Sequence, residues 1–221
     1  VSKRFFSINS IIRALQFQKD GFKNNENFEI FYPKEKFKTV MIVGGGSSVE
    51  NHKEAILNFL SKNSDVAIIH SSSRNANYFK AVNNKQFFCL IGNEGLRLEK
   101  VFEDLGSFDG ECILPPSPRK MGTYVPDLIK SKVKELNKIT FTDSLKDTHT
   151  TLALQTSIEL GALNIFLVGY DGYEGIKLGE KEIELLNENE LLFSRFKQVT
   201  KVILTALTST KYNNLKEETI F

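Results

Sequence analysis

The residues best suited to chemistry fall in five short runs, and the first is Gly44-Gly45-Gly46-Ser47-Ser48. Glycines let a backbone approach an anion closely, and a helix that follows offers unpaired N–H groups and a partial positive charge. The serine hydroxyls add donors. The run matches neither the P-loop, which ends in GK[ST], nor GxGxxG, because Val49 stands at the third glycine position. It reads as a phosphate cradle, with a tight turn capped by Ser48 as the plainer alternative.

The second run is Ser71-Ser72-Ser73-Arg74-Asn75. A guanidinium among small polar residues can hold a phosphate bidentately or bond a base or sugar. The same residues also suit a solvated arginine with serines capping the next helix. In the third run, Ile91-Gly92-Asn93-Glu94-Gly95, Asn93 either contacts a ligand or caps the helix that begins there. The fourth, PPSPRKMGTYVP, sets Arg119 and Lys120 on a segment stiffened by four prolines. It fits a lid over an anion or a plain solvated loop.

The fifth spans DTHTTLALQTSIELGALNIFLVGYDGYEG. Thr148, Thr150 and Thr151 stand at a helix start, where side chains and free N–H groups can face a ligand. Asp171 and Tyr173 follow an apolar strand. A carboxylate there can bind a ribose hydroxyl or act as a base, or it can tie down its own turn. His149 joins them as a candidate base, with a capping or surface role as the alternative.

Regular elements must position these runs. Strands are expected at 39–43 (TVMIV), 65–70 (DVAIIH), 86–91 (QFFCLI), 111–114 (ECIL) and 164–168 (NIFLV), with a short ITFT strand and an edge strand in VILTAL. Helices are expected over 50–62, 94–105, 127–137, 148–160 and 182–198. Strands that are apolar throughout and alternate with helices indicate a parallel sheet covered on both faces. The fold class is therefore α/β, a Rossmann-like three-layer domain. In such sheets ligands sit beyond the carboxyl ends of the strands, where all five runs fall. Ile8, Ile11, Ile12 and Leu15 mark one further helical face near the start. Residues 1–36 thus read as a helix and linker from a preceding domain, and 37–221 as the ligand-binding domain.

Hydrophobic residues make up 41% and charged residues 25%, ordinary values for a globular chain. A net charge of +2 gives no electrostatic case for nucleic acid or an anionic membrane as partner. No apolar run reaches the roughly 18 residues of a membrane helix. Cys89 and Cys112 sit in apolar runs and read as free buried thiols, which points to the cytoplasm. With three histidines and no CxxC or HExxH, no metal site is expected. A dehydrogenase is disfavoured because DVAIIH ends in His70-Ser71, where an acidic ribose-binding residue would stand. Self-association into a homo-oligomer is left open.

VGGGSS together with ELGALNIFLVGYDGY resembles the bacterial sialyltransferase and motility-accessory-factor group, although Ser47 replaces that group's usual proline. The resemblance implies that the glycine loop meets the nucleotide of a CMP-sugar or related diphosphate. The whole chain, through SKRFFSINSIIRALQ, HSSSRNANYF, LIGNEGLRLEKVF and PPSPRKMGTYVP, also resembles the C-terminal half of bacterial chains headed by an aldolase barrel. That head is similar to 4-hydroxy-2-oxovalerate aldolase and HMG-CoA lyase. This second resemblance implies a nucleotide- or phosphosugar-binding domain covalently preceded by the barrel of a lyase, in surface-polysaccharide biosynthesis. The barrel's DxTLRDG metal-ligand segment does not occur here. A small phosphorylated ligand, a nucleotide or sugar nucleotide, is the expected partner. The main expectation is the binding domain of an aldolase-type lyase. A CMP-sugar-dependent glycosyltransferase and a non-catalytic assembly domain are its alternatives.

Overall fold

The computed structural model describes residues 27–105, 110–119, 123–173 and 179–220. The helix expected over 7–18, and Lys120, lie outside the described residues.

Eight strands form one parallel sheet: β1 (Thr39–Val43), β2 (Ala67–His70), β3 (Gln86–Cys89), β4 (Gly110–Leu114), β5 (Val133–Glu135), β6 (Asn164–Val168), β7 (Ile203–Ala206) and β8 (Lys216–Glu217). Their order is β5-β4-β3-β2-β1-β6-β7-β8. The central strands are rich in β-branched and aromatic residues and are almost wholly buried, as a sheet covered on both faces demands. Alternate residues enter opposite cores. Val40 and Ile42 join one cluster with Ala67 and Ile69, while Met41 and Val43 join another with Ile68.

The helices divide between those two faces. α1 (Ser48–Asn51) and α2 (Lys53–Lys62) follow β1, and Val49, Ile56 and Leu60 enter the cluster of Met41. α3 (Glu94–Leu105) places Leu98 on the same side of the sheet. α4 (His149–Leu160) and α5 (Glu180–Val199) cover the other face through Leu152, Leu160, Phe193 and Phe196. The α/β three-layer expectation is met.

α4 is apolar and polar by turns yet buried nearly all round. Thr156 and Ser157 donate to the carbonyls of Leu152 and Ala153 at 2.7 and 2.9 Å, so their hydroxyls are satisfied within the helix. Thr148 caps its start by accepting from Thr151 N, and Gly161, at φ +81°, ends it.

Three expectations shift. The helix expected from 127 to 137 is a 3-10 segment, Asp127–Lys132, followed by β5, because Val133–Glu135 find the open edge of β4. ITFT is no strand: Ile139 and Phe141 are buried as part of the core without pairing in the sheet. VILTAL is not an edge strand, since β8 pairs outside it. The polar stretch before β1 also docks, with Phe31 buried and Phe31 N donating to Glu135 O at 2.7 Å.

β1 and β6 are neighbours, yet the helices that follow them cover opposite faces. The sheet therefore has its topological switch point between the loops at Gly44 and Gly169, where open α/β sheets place a ligand crevice.

Candidate functional site

At the switch point the two glycine loops are bolted together. Gly44 N donates to Val168 O at 2.8 Å and Gly46 N to Gly169 O at 2.9 Å. A Cβ on Gly44 would lie 2.9 Å from the carbonyl carbon of Gly169, and one on Gly46 would lie 2.5 Å from the carboxyl carbon of Asp171. None of Gly44, Gly45 and Gly46 has a positive φ. Close approach, not backbone conformation, is what demands glycine here.

Asp171 takes the place expected for an external anion. Its carboxylate accepts from Ser48 N at 3.0 Å, from Ser48 Oγ, and from Ser47 Oγ at 3.4 Å. Thr208 Oγ1 lies 3.0 Å from Ser48 Oγ and accepts from Gly169 N at 3.1 Å, tying the β7 end to the same knot. The helix behind this loop is also only four residues long, with a break at His52. The phosphate cradle expected at Ser47 and Ser48 is thus engaged by the protein's own carboxylate.

The end of β2 supports the loop from its other side. Asn75, buried, donates to the carbonyls of Gly44 and Gly46 at 3.0 and 3.1 Å. Arg74 is exposed and reaches Gly45 O at 3.1 Å, while Ser72 accepts from Arg74 N at 3.3 Å. Ser73 turns away: its N–H donates to Glu94 at 2.8 Å and its hydroxyl donates to the same oxygen. Asn93 is exposed on the adjoining rim, its carbonyl accepting from Leu96 N at 3.1 Å.

Glu94, at the start of α3, is only 2% exposed. Arg97 donates to its second oxygen at 3.0 Å, and His149 Nε2 lies 3.8 Å from that oxygen. Burial lowers the imidazole's pKa, the Glu94 carboxylate opposes that shift, and Arg97 adds to it. The ring is therefore a neutral base at pH 7, and its side chain is 41% exposed. Next in the chain, Thr150 donates to Asn189 Oδ1 at 2.6 Å and lies 3.5 Å from the Tyr170 hydroxyl. Tyr170 in turn donates to Ser71 Oγ at 2.9 Å. One polar rim thus runs from the glycine loop through Arg74, Ser73 and Glu94 to His149, Thr150 and Tyr170.

Two expected ligand residues stand apart from it. Arg119 is no exposed lid cation: its side chain is 2% exposed, ion-paired to buried Glu135 and stacked 5.7 Å from the Phe28 ring centroid. A buried carboxylate at the end of β5 draws the guanidinium inward. Thr151 is fully buried, with its hydroxyl on Leu145 O at 2.7 Å. Tyr173 stays beside Asp171 at φ +61°, its phenol pushed up by burial and by Glu182 and Glu188, a poor base at neutral pH.

Sequence reasoning passed over Glu94, Tyr170 and Thr208. An acid in the first turn of a helix is ordinary dipole complementation, so nothing local separates Glu94 from Glu54. Both cysteines are free and buried, with Cys112 pushed up to about 12 by burial. No helix among the described residues is long and apolar enough to cross a membrane, and no group of three metal-ligating side chains occurs among them.

The sequence matches no protein-family model and no curated protein. Among solved structures, the chain is similar to a MAf glycosyltransferase from Magnetospirillum magneticum AMB-1, with a TM-score of 0.61 at 12% sequence identity. The match covers 94% of this chain and 38% of that one. At that identity the likeness establishes a shared fold. The fold it matches is that of a glycosyltransferase and lends nothing to an aldolase-headed architecture.

Proposed function

We propose that the chain is a glycosyltransferase domain that binds a nucleotide sugar, of the CMP-sugar class, beyond the carboxyl ends of β1, β2 and β6. The observation that carries this reading is the polar rim at the switch point, which leads from the glycine loop to a half-exposed neutral imidazole. The shared fold supports it over the lyase reading.

In this reading Arg74 and the exposed rim of the glycine loop receive the phosphate, and Asn93 stands where it can meet the sugar or base. His149 takes the proton of the acceptor hydroxyl. The acceptor oxygen bonds the anomeric carbon as the bond from that carbon to the phosphate oxygen breaks, and the nucleotide leaves with the bonding pair. Asp171 is a structural clamp that joins the β1 and β6 loops, and Tyr173 flanks it.

A thermal-shift series with CMP, UMP, CMP-sugars, UDP-sugars and phosphosugars tests the reading. A ligand at a hundred times its Kd stabilises by about 2.7 kcal/mol, a rise of about 5–10 °C for a domain of this size. The expected result is such a rise with CMP and CMP-sugars, abolished in Gly45→Val. An ideal Cβ at Gly45 lies 3.2 Å from Ser72 Oγ, on the side of Arg74, so the larger side chain intrudes on that face. A rise with phosphosugars alone, or no CMP release from CMP-sugar in the presence of acceptor saccharides, would overturn it.

A further inference from the structure

The proposed base is held by a residue that no motif points to. We infer that Glu94 is a positioning residue that fixes the tautomer of His149, so that the pair forms a carboxylate–imidazole dyad where the first turns of α3 and α4 meet. The inference rests on the reading of His149 as the base.

The geometry gives each atom of the pair a role. Glu94 is almost wholly buried, and a buried carboxylate needs compensation from several sides. Its Oε1 accepts from Ser73 N and Ser73 Oγ, so that oxygen is fully engaged. Its Oε2 accepts from Arg97 and faces His149 Nε2. Arg97 is 59% exposed and donates to Oε2 at 3.0 Å, which leaves that oxygen a lone pair for a second donor. Nε2 is the complementary half: it is inaccessible to solvent and has no hydrogen-bond partner, although the ring as a whole is half exposed. A buried ring nitrogen that faces a carboxylate carries the proton, which leaves Nδ1 as the free acceptor. Nε2 stands 3.8 Å from Oε2, and catalytic hydrogen bonds are often long before substrate binds and tighten with it.

Among the described residues, the charged groups that act on the ring are Glu94 and Arg97 of α3, and the uncharged Ser73 of the 3-10 turn bonds Glu94 from the other side. The Cys89 thiol at the end of β3 feels Glu94, and burial keeps it neutral. When the acceptor hydroxyl loses its proton, the O–H bond breaks, an N–H bond forms at Nδ1, and the electron pair stays on oxygen to bond the anomeric carbon. The imidazolium that results gains Glu94 as counter-ion, and this stabilises the transition state more than the ground state.

The test needs no substrate. The chain has three histidines, His52, His70 and His149, so long-range proton–nitrogen correlation spectra resolve each ring. The expected result is a single Nε2–H tautomer for His149. Glu94→Gln, which keeps the Ser73 bonds and removes the charge, lowers its pKa by about one unit and mixes the tautomers. Arg97→Gln, at an exposed position, moves the pKa upward. A dominant Nδ1–H tautomer in the unmodified protein overturns the inference without any variant. So does an unchanged His149 titration in either folded variant. In turnover assays, Glu94→Gln moves the acid limb of kcat/KM down by the same unit and lowers kcat, with KM for the nucleotide sugar held. A raised KM with an unmoved limb marks a merely structural role and refutes the proposal. Absence of any transfer while the titration behaves as expected counts against the glycosyltransferase reading and leaves the dyad standing.

Discussion

Replacing Asp171 by alanine removes the group that joins the β6 loop to the glycine loop of β1. The carboxylate accepts one backbone N–H, from Ser48 at 3.0 Å, and one hydroxyl, from Ser48 Oγ, with a longer contact at 3.4 Å from Ser47. Hydrogen bonds to a charged acceptor contribute about 1.5–3 kcal/mol each. Two such bonds, discounted because Asp171 is half exposed and water can replace part of them, give about 3 kcal/mol. For a domain of this size that is a fall in melting temperature of about 6–12 °C. A second variant reads the same contact from the other side. A Cβ on Gly46 lies 2.5 Å from the Asp171 carboxyl carbon, so Gly46→Ala must expel the carboxylate from its seat. In the Asp171→Ala background that clash is gone, and Gly46→Ala should cost almost nothing. The coupling between the two sites should therefore exceed the roughly 0.5 kcal/mol expected of independent positions. Calorimetric melting of the four proteins measures it, with titration of CMP as the parallel assay. An Asp171→Ala protein that melts within 2 °C of the parent and loses tenfold or more in nucleotide affinity, about 1.4 kcal/mol, would refute this account. Asp171 would then belong to the ligand.

His70 is buried, Nε2 lies 2.8 Å from Gln86 Oε1, and burial lowers its pKa from 6.5 to about 4. The unfolded chain binds a proton that the folded chain refuses between those values, so stability is whole above pH 6.5 and falls as pH drops toward 4. The loss is about 3 kcal/mol, and urea unfolding at pH 7.5 and 4.5 should show it in the parent and not in His70→Gln. Equal pH dependence in both would sink the assignment. Arg119→Met leaves Glu135 buried without its cation and should cost about 3–5 kcal/mol, recovered in good part by adding Glu135→Leu. Nucleotide binding should survive in the double variant, and its loss there would return Arg119 to the ligand site.

The pattern of wholly apolar strands broken by glycine turns was enough to determine a parallel sheet clad on both faces. The same pattern put the glycine loop at the end of β1 and GYDGY at the end of β6. Those are local properties: periodicity reports burial, and a strand that runs into glycine and then a helix reports a turn at the carboxyl edge. What meets at that edge is not local. Asp171 reaches Ser48 across 123 residues, and Ser73 reaches Glu94 across 21, through contacts that depend on strand order. A carboxylate after a strand reads alike whether it faces a ligand or closes the neighbouring loop, and only the parallel pairing of β1 with β6 turned Asp171 into a clamp. Arg119 followed the same logic. Its charge and proline-rich setting suggested a lid, and the β4–β5 pairing placed Glu135 where it could draw the side chain inside. Glu94 was hidden for the opposite reason, because one acid in a first helical turn is unremarkable until β2, β3 and α4 bring Ser73 and His149 to it.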